Sequence, residues 1–192
     1  MEEYSERPAS VLMSLFSKEE KAPRLVLLTG NKGAGKTAWC LELIAEAFQR
    51  GIGVSGLVSP PIMTGGQKVG IDLMDAHSGE SRRLAVFRKE GSPKTAKEMG
   101  ITTMNWIFDP FVFAWGNQIL GGLDASELLV LDELGPLELL EGKGLTAGLK
   151  CIDDRRYQIA CVVIRPALLA NAVERWPWGK ILKIVDHSET DT

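Results

Sequence analysis

Residues 30–37 read GNKGAGKT, which sets glycines, a lysine and a threonine in the spacing G-x-x-x-x-G-K-[ST]. Glycines at 30, 33 and 35 let a backbone turn tightly and bring several N–H groups toward one point. Joined by the positive end of a following helix, those donors make an anion site for a phosphate. The predicted cradle runs through Gly30, Asn31, Lys32, Gly33, Ala34, Gly35, Lys36, Thr37 and Ala38. In it Lys36 would reach the β- and γ-phosphates, as a catalytic as well as a binding group, and the Thr37 hydroxyl would ligate Mg²⁺. Mg²⁺ takes few protein ligands and completes its shell with phosphate oxygens and water, so one hydroxyl and one carboxylate suffice.

A carboxylate of that kind is expected at the end of a neighbouring buried strand. LLVLDEL supplies Asp132 and Glu133 directly after four apolar residues. Asp132 is the expected metal-side acid, acting through a water. Glu133 stands where a base could orient and deprotonate an attacking water. Successive strand side chains point to opposite faces, and strand ends also carry solvated or helix-capping acids, so that bland reading stands beside the base role. Glu138, a few residues on, could back up the metal shell or cap the next helix.

Both motifs need a sheet and helices to hold them. RLVLLT before the cradle is a continuous apolar run of strand length, and the apolar-rich segment AWCLELIAEAF follows with helical spacing until Gly51. VSGLVS, ELLVL, IACVVI and KILKIV are further apolar strands, and helices are expected over FVFAWGNQILGGL, LELLEGKGLTAGLKCIDD and PALLANAVERW. Such runs suit strands buried on both faces. KVGIDLMD and ESRRLAVFR read as an inserted β-hairpin, PPIMTGGQ as a loop, and residues 90–110 as a mobile loop. The predicted architecture is α/β, with a mostly parallel central sheet and helices on both faces. Residues 1–22 form an N-terminal extension with one amphipathic piece, VLMSLF, and residues 23–192 one phosphate-loop domain.

Composition narrows the partners. With 22 basic and 25 acidic residues the net charge is −3, and no basic stripe stands out, which argues against nucleic acid. No run is long enough to span a membrane, and the acidic start lacks a signal-peptide pattern. Cys40, Cys151 and Cys161 show no paired spacing and read as reduced thiols of a cytoplasmic protein.

GNKGAGKT, the VSGLVSPP strand and loop with KVGIDLMD behind it, and LLVLDELGPLELL together resemble the THEP1-type nucleoside-triphosphatases. The last stretch is similar to that family's Walker B signature, a D-E-[IL]-G followed shortly by a Glu-Leu pair, here Glu138 and Leu139. The resemblance implies a RecA-like P-loop fold and Mg²⁺-dependent hydrolysis of ATP and other nucleoside triphosphates to diphosphate and phosphate, with broad base tolerance. Under that strand order the IACVVI strand lies between the cradle strand and the Asp132 strand. Arg165 at its end could then stabilise charge on the γ-phosphate. Trp106, Phe108, Phe111 and Trp115 offer faces for a base or belong to the core, and His77 is expected in solvent.

Two other functions share these motifs. A small-molecule or nucleotide kinase would close an arginine-bearing lid, for which residues 141–158 offer only Arg155 and Arg156. A nucleotide-gated switch would meet a protein partner through the N-terminal extension or the 90–110 loop.

Overall fold

The computed structural model describes residues 8–16, 23–88, 101–102, 105–132 and 134–184. In chain order the first elements are α1 (Pro8–Phe16), β1 (Arg24–Thr29), α2 (Lys36–Gln49), β2 (Val54–Val58), β3 (Pro61–Thr64), β4 (Gln67–Asp75) and β5 (Ser81–Phe87). There follow β6 (Ile101–Thr102), β7 (Trp106–Phe108), α3 (Pro110–Gly121), β8 (Ser126–Leu131), α4 (Pro136–Leu139) and α5 (Thr146–Asp153). The chain continues with β9 (Tyr157–Val163), a 3-10 turn at Pro166–Leu168, α6 (Leu169–Arg175) and β10 (Lys180–Lys183).

The five apolar runs form the parallel part of one sheet, in the order β10–β1–β9–β8–β2. The expected interposition is present: β9 pairs with β1 through Val26↔Cys161 and with β8 through Val130↔Cys161. Strand alternation sends Leu25 and Leu27 into one core and Val26 and Leu28 into the other. Phe113 and Leu120 of α3, Leu149 and Ile152 of α5, and Trp176 behind α6 cover the first face. Cys40, Leu43, Ile44 and Ala47 of α2, with Val11 of α1, cover the second. Helices on both faces are therefore what the apolar runs required.

Beyond β2 the sheet turns antiparallel through β4, β5, β7 and β6. The hairpin read from KVGIDLMD and ESRRLAVFR is β4–β5, and it widens the sheet, pairing Leu57 with Asp75 and Val58 with Met74. PPIMTGGQ is not a loop. It carries β3, paired with β4 across Gly65 and Gly66, whose φ values of 56° and 76° suit a two-residue hairpin turn. Pro61 hides this strand from a sequence reading, but it begins a strand paired on one side only, where a missing N–H costs little.

Part of the expected 90–110 loop is strand: β6 and β7 pair with each other, and β7 extends the sheet from β5. Residues 90–100 and 103–104 of that segment lie outside the described residues. So do residues 1–7 and 17–22 of the N-terminal extension, whose described part is helix α1. The helix expected within residues 137–154 divides in two, α4 and α5, at a turn where Gly142 and Gly144 take positive φ. Gly116 interrupts nothing in α3. A Cβ there would come within 2.8 Å of Leu73 and Leu145, so glycine lets the helix lie close on the sheet.

Candidate active site

The cradle leaves the carboxyl end of β1 and runs into α2. Gly33 and Gly35 hold φ of 90° and 82°, conformations that side chains resist. Gly30 is glycine for space, since a Cβ would lie 2.7 Å from the Ile184 carbonyl at the end of β10. Gly35 caps α2 with no side-chain oxygen, so the first-turn N–H groups carry no side-chain cap. Lys36 Nζ donates to the carbonyls of Gly30 and Asn31, both at 2.8 Å, and so bridges the loop's own backbone. Asn31, Lys32, Gly33, Gly35 and Ala38 are exposed, while Ala34, Lys36 and Thr37 are half-buried at the same end of the sheet.

Asp132 follows β8 at the same sheet edge. One strand, β9, separates β8 from β1, so their carboxyl ends stand about 10 Å apart at ordinary strand spacing. Asp132 is buried, 3% exposed, and its N–H continues the ladder to the Leu57 carbonyl at 2.9 Å. The Ser59 N–H donates to Asp132 Oδ2 (3.2 Å) and the Ser59 hydroxyl to the Asp132 carbonyl (3.3 Å). Ser59 therefore fixes this carboxylate from β2's end, a role that VSGLVSPP did not disclose. A polar residue where a strand leaves the sheet beside a carboxylate-bearing strand was the available signal. Glu133 lies outside the described residues.

Arg165 leaves β9 between the two motif-bearing strands: Ile164 N–H bonds to the Leu28 carbonyl at 2.8 Å, and Arg165 follows in extended backbone. Glu138 is buried and resolves the alternatives left open for it. Its Oε2 accepts from the Gly135 N–H (2.8 Å) and its Oε1 from the Leu145 N–H (2.9 Å), so it caps α4 and ties the next turn to it.

Arg155 and Arg156 precede β9 and so lie at its amino end, the opposite edge from the cradle. Arg155 rests over the Trp178 ring at 4.0 Å, and Arg156 binds Asp154 and the Leu123 carbonyl. Neither is placed to close over phosphates. Among the aromatics, Trp106 meets Phe87 edge-on, Phe108 stacks with Phe113, and Trp115 lies under Arg82, so three of the four are engaged. Phe111 is 74% exposed. His77 is exposed, as expected, and its ring Nδ1 lies 3.3 Å from the Val54 carbonyl.

All three cysteines are free and buried. A hydrogen bond with Cys161, then burial, pushes the Cys40 thiol well above its ordinary range, beneath the cradle helix. Such thiols are protonated and unreactive at neutral pH. Among the described residues no helix is long and apolar enough to cross a membrane, and no three His, Cys, Asp or Glu side chains cluster as a metal-binding set.

A family profile described as NTPase matches residues 25–188. The chain is 29% identical over 142 residues to a nucleoside-triphosphatase THEP1 of Thermofilum pendens, a match covering 73% of this chain and 74% of that protein. It is 29% identical over 134 residues to a nucleoside-triphosphatase THEP1 of Caldivirga maquilingensis, covering 70% and 72% of the two. In fold it is similar to a human cancer-related nucleoside triphosphatase solved in solution, with TM-score 0.61 and 21% identity over 86% of this chain and 90% of that one. The crystal structure of THEP1 from Aquifex aeolicus gives TM-score 0.61 at 14% identity, covering 88% and 93%.

Proposed function

Because the chain belongs to the NTPase family of THEP1-type nucleoside-triphosphatases and is a hydrolase of nucleoside triphosphates, we propose that it splits the terminal phosphoanhydride with Mg²⁺ and tolerates different bases. The observation that carries this is the shared edge: the glycine cradle on β1 and Asp132 after β8, with β9 alone between them. Cradle N–H groups and Lys36 bind the β- and γ-phosphates. Thr37 and Asp132 would hold Mg²⁺, which when bound neutralises the phosphate oxygens.

The donor set fits that ion. Both ligands are hard oxygens, and Asp132 is already oriented by Ser59. Glu133 takes a proton from water as its oxygen attacks the γ-phosphorus. The bond from that phosphorus to the bridging oxygen breaks, and the diphosphate leaves with the electron pair. Arg165 stabilises charge on the transferring group. Catalysis of this kind is mostly positioning and charge stabilisation.

Base tolerance follows from a site whose described groups address phosphates. A kinase is disfavoured because Arg155 and Arg156 stand at the far edge of the sheet.

A steady-state assay across ATP, GTP, CTP, UTP and the diphosphates, with and without Mg²⁺, tests the proposal. Phosphate release from all four triphosphates only with Mg²⁺ is expected. ADP release that depends on an added nucleoside monophosphate would overturn it. Glu133→Gln should abolish turnover and leave binding intact; near-normal kcat would remove Glu133 from the mechanism.

A further inference from the structure

Asp132 after β8 and Gly135 before α4 are each held by a hydrogen-bonding group outside the cradle. Ser59 fixes the Asp132 carboxylate and carbonyl. The Gly135 N–H donates to Glu138, a side chain only 5% exposed. The second oxygen of Glu138 accepts from Leu145, across a turn that brings the chain back over the carboxylate.

This socket is built around the carboxylate. Gly144, at φ 71°, passes so close that a Cβ there would overlap Oε1. Asn117 of α3 clamps the same turn, donating to the Gly144 carbonyl and accepting from the Ala147 N–H, each at 2.8 Å. A buried carboxylate is costly unless hydrogen-bonded, and a helix cap as short as α4's does not require one so enclosed.

We propose that Glu138 is a positioning residue for hydrolysis, holding Gly135 so that the chain leaving β8 keeps Asp132, the metal-side acid, in register with the cradle. This rests on the hydrolase reading above and adds to it a residue that acts through Gly135. A carboxamide has one acceptor oxygen, and its NH₂ would face one of the two donors, so Glu138→Gln loses one anchor while keeping the side chain's size.

The test compares wild type and E138Q well below their melting temperatures. It measures kcat and the Kd of a fluorescent non-hydrolysable ATP analogue. Displacement of a reacting group by an ångström costs up to 10²-fold in rate, so a kcat lower by roughly 10- to 100-fold is expected. Kd should be unchanged.

Wild-type kcat in E138Q, or a fall in kcat matched by weaker analogue binding, overturns the proposal. Where E138Q does not fold, Gly144→Ala carries the test, because its methyl displaces the Oε1 contact and leaves the carboxylate present. Unchanged kcat there overturns the proposal equally. Failure of the hydrolase reading is distinct: wild type itself would then release no phosphate.

Discussion

Lys36 is an ammonium held by two backbone carbonyls of its own loop. In reaching a triphosphate it exchanges those bonds for stronger ones to charged oxygens, at small net cost to the loop. Lys36→Ala should therefore leave the melting temperature nearly unchanged. It should weaken ATP binding roughly 10- to 100-fold, the worth of one to two charged hydrogen bonds, as titration calorimetry would show. The cradle was legible from sequence because each of its residues does one local job: glycine for φ, lysine for reach, threonine for oxygen. Ser59 and Glu138 were hidden because their partners lie up to 73 positions away, and any serine or glutamate can make such bonds.

Elements follow a similar division. The five apolar strands and the β4–β5 hairpin could be read from composition and alternation, since burial on one or two faces dictates the pattern. Strand β3 and the split of α4 from α5 could not, since both depend on glycine turns at positive φ, which apolar patterning does not reveal. Gly56 illustrates the stakes. It lies in the middle of β2 with φ 122°, and a Cβ there would overlap the carbonyl of Val130 in β8. Its own carbonyl accepts from the Ala76 N–H at 2.9 Å. Gly56→Ala must push β2 away from the strand that ends in Asp132. A loss of at least ~2 kcal/mol is expected, from strain and a displaced strand, and urea denaturation measures it.

Among the described residues, the fold raises three acidic groups above their ordinary range. Burial raises the Cys151 thiol and the Tyr157 phenol, and the bond to Cys161 raises Cys40. The unfolded chain ionises the thiols near their ordinary value of 9.0 and the phenol near 10.0, whereas the folded chain holds all three neutral for longer. Their contribution to stability is complete below pH 9.0 and is lost as the pH rises toward the folded values. Melting temperature should fall steadily above pH 9.0, and Cys40→Ala should flatten that fall in a scanning-fluorimetry series. The strand order has one more consequence, in time. Residues 24–29 of β1 find their partners only at 157–163 and 180–183, so early contacts on the second face of the sheet have no neighbours in the ladder. During synthesis the phosphate-binding end of the chain emerges first. It acquires its two flanking strands only after more than a hundred further residues have been translated, so a nascent chain should bind no nucleotide until β9 and β10 have left the ribosome.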